Sequence, residues 1–138
     1  MRLTKILSLI LVFIFLLTIP VNATSEDGIQ PRYKYILTFG GTINIQESTG
    51  IATCSGYMSA YGNYPVKMEC RLQRFKNNNW ETVKTWEKSS SICISMDDLM
   101  WCVPEGYIYR IALTAYVYNS SGAQIDEANY YKTINYGC

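Results

Sequence analysis

The chain contains no histidine. That absence removes the side chain that titrates nearest neutral pH, the usual base of a nucleophilic triad and the commonest metal ligand. The five cysteines, at 54, 70, 93, 102 and 138, include no C-x-x-C pair, so the spacing of a structural zinc site is missing. There is no glycine-rich phosphate loop and no G-x-S-x-G nucleophile elbow. No segment keeps a helical period over ten residues, and no internal repeat or low-complexity block interrupts the chain. An excess of either charge is also lacking: 12 basic residues stand against 11 acidic ones, a net charge of +1. A balanced surface of this kind offers no electrostatic footprint for nucleic acid or anionic lipid. These absences leave an enzyme only carboxylate or thiol chemistry, so a non-enzymatic protein without a cofactor or metal is expected.

One long apolar run is present, and it lies at the start. Arg2 and Lys5 form a basic region, Ile6 to Ile19 is apolar, and Val21-Asn22-Ala23 has the small residues of a cleavage site. This is the pattern of a secretory signal peptide over 1–23. An uncleaved membrane anchor is the rival reading, but the run falls short of the roughly 20 residues a span needs. Cleavage would leave 115 residues, one small domain. It would also leave ten basic residues (12 less Arg2 and Lys5) against 11 acidic ones. The expected product is secreted and free of a stable membrane anchor. Residues 24–32 read as a flexible arm, and 33–138 as a single domain.

The longest β-type run is Gly106 to Tyr118. Tyr107, Tyr109, Ile111, Leu113, Ala115 and Val117 alternate with Ile108, Arg110, Ala112, Thr114, Tyr116 and Tyr118. Side chains of a strand point to opposite faces with period two, so the first set should face a core and the second outward. Val103-Pro104-Glu105-Gly106 precedes the run as a loop. A tyrosine just inside a strand after such a turn suggests a tyrosine corner, with its hydroxyl bonded to upstream backbone. Tyr109 is the candidate and Tyr107 the alternative.

Other strands are read by the same alternation. Tyr33 to Phe39 is followed by Gly40-Gly41, a break or bulge, and then by Thr42 to Ile45. Ile51 to Met58 has Ala52, Cys54, Gly56 and Met58 on one face, with Thr53 and Ser55 opposite. Val66 to Phe75 points Val66, Met68, Cys70 and Leu72 inward. Asn77-Asn78-Asn79 marks a hairpin to Trp80–Glu87. Ile92 to Met96 is a short strand, and Asp97 to Val103 is ambiguous between strand and a helical turn. Asn119-Ser120-Ser121-Gly122 turns the chain back along Ala123 to Tyr136 and also fits a glycosylation acceptor. About seven short strands with frequent turns predict an all-β fold, an antiparallel two-sheet sandwich of immunoglobulin or fibronectin III type. A barrel is the alternative.

The order Gln30-Pro31-Arg32-Tyr33, Ala52-Thr53-Cys54-Ser55-Gly56, Leu72-Gln73-Arg74, Trp80 to Trp86, Gly106 to Arg110 and Tyr116 to Gly122 resembles one family. Its members are small secreted single-domain proteins of Gram-positive, mostly anaerobic bacteria. The resemblance implies a fibronectin III-like or immunoglobulin-like sandwich and brings no activity or functional residue with it.

Two constellations remain. If the last hairpin turns at Ser120-Ser121, paired positions sum to about 241, which sets Cys138 opposite Val103 and beside Cys102. A Cys102–Cys138 bridge would then pin the last strand. Cys54 and Cys70 both face inward on strands that, in an immunoglobulin-like order, belong to opposite sheets, so a Cys54–Cys70 bridge across the core is the second expectation, leaving Cys93 odd. Trp80 and Trp86 are six residues apart and share a face in a regular strand. With the outward Tyr116 and Tyr118 they form a candidate binding face, since rigid aromatics stack on sugars or anchor protein partners. Asp97-Asp98 with Glu105 is the one acidic cluster near a loop, and its spacing fits no calcium loop. The expected partner is an extracellular glycan, cell wall or protein. A self-associating protein that uses an odd cysteine or a free edge strand is the alternative, and a small secreted effector the third reading.

Overall fold

The computed structural model describes residues 33–137, so the expected leader, the arm and Cys138 lie outside the described residues. Seven strands follow one another: β1 (Ile36–Gln46), β2 (Ile51–Ala60), β3 (Val66–Lys76), β4 (Asn79–Ser90), β5 (Cys93–Cys102), β6 (Tyr107–Tyr118) and β7 (Gln124–Tyr136). They form two antiparallel sheets, one in the order β1-β2-β5 and the other in the order β4-β3-β6-β7. The fold is the expected two-sheet sandwich. The chain changes sheet at β2→β3, β4→β5 and β5→β6.

The central strand behaves as its alternation requires. Tyr109, Ile111, Leu113, Ala115 and Val117 are fully buried, lying beside Val66, Met68, Cys70 and Leu72 of the paired β3 on the face turned to the smaller sheet. The Tyr109 hydroxyl donates to the Pro104 carbonyl at 2.6 Å, which makes Tyr109 the corner residue. Two glycines let the layers close. Gly41 and Gly56 are register partners on β1 and β2, and Leu113 of β6 seats in the hollow between them. A Cβ on Gly41 would come within 2.6 Å of Leu113 Cδ1, and one on Gly56 within 3.2 Å of Leu113 Cδ2. Gly40-Gly41 therefore does not break the strand. It leaves room for side chains that arrive from elsewhere.

The turns follow their residues. Asn77 and Asn78 both have positive φ (52° and 61°), the backbone of a two-residue hairpin whose twist matches that of its strands. Asn119 Oδ1 accepts from the Ser121 and Ala123 amides at 3.1 and 2.9 Å and holds the β6–β7 turn.

Several expectations need correction. Asp97 to Cys102 is strand, continuous with Cys93 to Met96 through a bulge opposite Ser55, where Asp98 takes φ of 52°. The last hairpin pairs Tyr107 with Tyr136 and Val117 with Asp126, so its positions sum to 243 rather than 241. That register places Gly137 beside Glu105. Cys102 is a free, exposed thiol at the end of β5. Cys54 and Cys70 are also free, packed in the core as small apolar groups, so the expected bridge between them is not formed, while the Cys102–Cys138 expectation rests on Cys138, outside the described residues. Burial pushes the Cys54 and Cys70 thiols up to about 12, which keeps them protonated and unreactive at neutral pH.

Candidate functional site

The expected aromatic face does not exist as one surface. In the β3–β4 pairing Leu72 meets Lys84 and Gln73 meets Thr82, leaving Val83 without a partner. One extra residue reverses which face the following side chains occupy. Trp80 therefore lies on the outer face of the larger sheet, opposite Phe75, while Trp86 lies on the core side, opposite Cys70. Tyr116 and Tyr118 share the outer face with Trp80, with ring centroids 6.4 Å apart, but sit at its far end. Eight residues of β6 separate Ile108, which is level with Trp80, from Tyr116, roughly 27 Å at the usual strand rise.

Trp80 belongs to an internal ladder. The Arg110 guanidinium lies between the rings of Trp80 (4.1 Å) and Tyr131 (4.7 Å), and its Nε donates to Gln73 Oε1 at 2.8 Å. Arg71 Nη2 donates to Thr114 Oγ1 at 3.2 Å, which donates to Asn129 Oδ1 at 3.0 Å. Glu69 lies 2.8 Å from Arg71. These groups tie four strands together across the outer face and explain why Thr114 and Ala112 are buried despite pointing outward. Burial of the guanidinium lowers the Arg110 pKa, opposed by the Tyr131 hydroxyl, and Arg71 nearby lowers it further. A ladder whose members already contact one another offers little to a ligand.

The two long sides of the sandwich differ. On the β1/β7 side, side chains of β7 cap the backbone of β1 and its flanks. Asp126 Oδ2 accepts from the amides of Tyr35 (2.8 Å) and Ile36 (3.3 Å). Tyr130 donates to the Gly41 carbonyl at 3.2 Å, and Tyr136 to the Glu47 carbonyl at 3.3 Å. On the β4/β5 side one such bond occurs among the described residues, from Lys88 Nζ to the Ser95 carbonyl at 2.7 Å. A cleft of about 470 Å³ opens there, lined by Trp86, Glu87, Lys88, Ser95, Met96, Asp97 and Leu99.

The cleft is where β4 and β5 end their sheets with unpaired edges. Trp86 forms part of its wall, half-buried against the core. Close by, Trp101 of β5 is 42% exposed. Lys84 Nζ lies 4.6 Å from the Trp101 ring and 5.9 Å from that of Trp86, so a cation bridges the two indoles. Such contacts hold exposed rings in place. Asp97 accepts from the Ser95 hydroxyl at 2.6 Å. Asp98 occupies the bulge, and Glu105 lies apart, beside Gly137. The acidic cluster of the sequence is thus divided.

No protein-family model, curated protein or solved structure matches the chain. The site is therefore defined by its own geometry. Of the sequence candidates, Trp86 alone among the aromatics and Asp97 alone of the acidic cluster line the cleft. Trp101 escaped notice because its segment did not read as strand, and because the bulge at Asp97-Asp98 shifts the parity of the residues after it.

Proposed function

We propose that the protein is an exported, non-enzymatic binding module that takes an extended segment of a partner protein along the β4/β5 side. The observation that carries this reading is the contrast between the two sides. β7 caps β1 with side-chain bonds, while β4 and β5 leave their edges open beside two tryptophans. An unpaired edge is a template for another strand, and main-chain bonds with alternate side-chain pockets are how such edges bind peptides. Trp101 and Trp86 are the residue type that anchors interfaces. Export rests on the leader pattern at 1–23, and N-terminal sequencing of the mature chain should find Thr24 first. In immunoglobulin constant domains the fourth strand joins the first sheet. Here β4 pairs with β3, an arrangement that supports the fibronectin III-like reading.

The test is selection from a displayed peptide library against the purified chain. Enriched peptides should slow amide exchange in β4 or β5 and lose at least tenfold in affinity on Trp101→Ala. Binding unchanged by that substitution, or no enrichment, refutes the assignment. One observation favours self-association as a second reading: Cys93 and Cys102 are exposed thiols near the two ends of edge strand β5. Non-reducing gels would then show dimers that Cys93→Ser with Cys102→Ser removes.

A further inference from the structure

The outer face of the smaller sheet carries an arrangement that the cleft does not use. β1 and β2 contain no charged residue over their whole length. At the middle of the two strands the outward positions Thr38, Thr42, Ser55 and Ser59 are small and hydroxylated around one aromatic, with Asn44, Gln46 and Ile51 toward one end and the exposed Leu37 toward the other. Tyr57 is 51% exposed, and its side chain reaches across from β2 to lie over Gly40, its register partner on β1. A Cβ at Gly40 would come within 2.7 Å of the Tyr57 hydroxyl oxygen and 3.0 Å of the ring carbon bearing it. Glycine at position 40 is thus what allows the ring to lean onto the strand instead of standing away from it. Half of the ring's surface remains open to solvent.

Hydroxyl pairs flank the ring. Thr38 Oγ1 and Ser59 Oγ are 2.7 Å apart on one side, and Thr42 Oγ1 and Ser55 Oγ are 2.7 Å apart on the other. Each pair lies two residues along β1 from Gly40, about 7 Å at the usual strand rise. Within a pair one hydroxyl donates to the other. The accepting hydroxyl keeps a free O–H, and both oxygens keep a free lone pair. Each pair therefore presents one donor and two acceptors at a fixed place. On the β5 side charges of both signs approach Ser95: Lys88 Nζ of β4 donates to its carbonyl at 2.7 Å. Asp97 accepts from Ser95, which is the partner of Tyr57 across β2 and β5. Asp98 sits at the bulge beside it.

We propose that this face binds a neutral polysaccharide, with one pyranose ring stacked on Tyr57 and the neighbouring sugars contacting the Thr38–Ser59 and Thr42–Ser55 pairs. An aromatic ring matches the apolar C–H face of a sugar, and paired hydroxyls match its O–H groups. With no charged residue on β1 or β2, the face holds no basic group of its own to pair with sulfated or uronic acid chains. Side chains of threonine and serine are short, so a flat chain meets no bulky group at the two flanking pairs.

Affinity electrophoresis of the purified protein through gels containing a mixed-linkage glucan, an arabinoxylan or a galactomannan tests this, with dextran sulfate as the charged control. Retardation by at least one neutral polymer is expected. Tyr57→Ala should weaken it at least tenfold, Tyr57→Phe should stay within about threefold of the parent, and Gly40→Ala, which forces the ring off the strand, should weaken it. Trp101→Ala should leave it unchanged, which separates this face from the β4/β5 cleft. The proposal is overturned if no neutral polymer retards the protein, if Tyr57→Ala migrates as the parent does, or if dextran sulfate retards it more strongly. The peptide selection against the cleft stands whichever result is obtained.

Discussion

Placing an alanine at Gly41 or at Gly56 adds the same methyl group to two facing positions, yet the structure assigns the two changes different costs. At Gly41 the new Cβ would fall 2.3 Å from the Ser55 carbonyl oxygen and 2.6 Å from Leu113 Cδ1. The first of these is backbone of a paired strand, which cannot move without disturbing the β1–β2 register. At Gly56 the nearest atoms are Met68 Cε at 3.1 Å and the Leu113 methyls at 3.2 and 3.4 Å, all ends of side chains. Overpacking a filled core costs typically about 1–3 kcal/mol. Gly56→Ala should lie near the low end, about 1 kcal/mol, because flexible tips can yield. Gly41→Ala should lie at or above the high end, about 3 kcal/mol or more. Urea denaturation followed by tryptophan fluorescence measures both. Leu113→Ala sharpens the test. By itself it opens a cavity at a cost of about 2–5 kcal/mol. Combined with Gly56→Ala it should cost less than the sum of the two, because the new methyl enters the vacated space. Combined with Gly41→Ala it should recover little, because the Ser55 carbonyl remains. Equal costs for the two glycine substitutions, or full rescue of Gly41→Ala by Leu113→Ala, would refute the packing described for the central strand.

Three further outcomes are expected. Tyr109→Phe removes the hydroxyl that reaches Pro104 and should destabilise the fold by about 1–2 kcal/mol in the same assay, while Tyr107→Phe should change it by less than about 0.5 kcal/mol. Asp126→Ala releases the amides of Tyr35 and Ile36, and hydrogen exchange should show those two amides exchanging faster while Ile111 and Leu113 stay protected. The buried thiols set an alkaline limit. Cys54 and Cys70 have pKa values raised from 9.0 to about 12, so between those pH values the unfolded chain has lost protons that the folded chain retains. Their contribution to stability is therefore constant below about pH 9 and falls as pH rises toward 12, by up to about 1.4 kcal/mol per unit for each thiol. A Cys54→Ala, Cys70→Ala variant should show a shallower alkaline decline in denaturation midpoint; an identical decline would place its cause elsewhere.

Much of the fold is legible residue by residue, because burial on one face writes a period of two into a strand. The inward set Tyr109 to Val117, the adjacent inward set Val66 to Leu72 and the asparagine-rich turn at Asn77-Asn78 are all visible in this way. The same alternation that sets Thr53 and Ser55 opposite the core extends to Tyr57, which the sequence reading did not single out. That it lies over Gly40 was not legible, since the pairing of β1 with β2 is a relation between segments 17 residues apart.

The amino-acid order by itself determined the class of fold, the core residues of most strands and the want of histidine chemistry, because each depends on the local alternation or identity of side chains. The tertiary structure alone decided which aromatics share a surface, which cysteines meet and which edges stay open. The physical reason lies in two bulges and a two-residue shift of register. An unpaired Val83 sends Trp80 and Trp86 to opposite faces, a bulge at Asp97-Asp98 brings Trp101 to the same Lys84 that meets Trp86, and the β6–β7 pairing sets Gly137 beside Glu105. Insertions of this kind arise from how neighbouring strands fit one another, and no single strand carries the information that sets them.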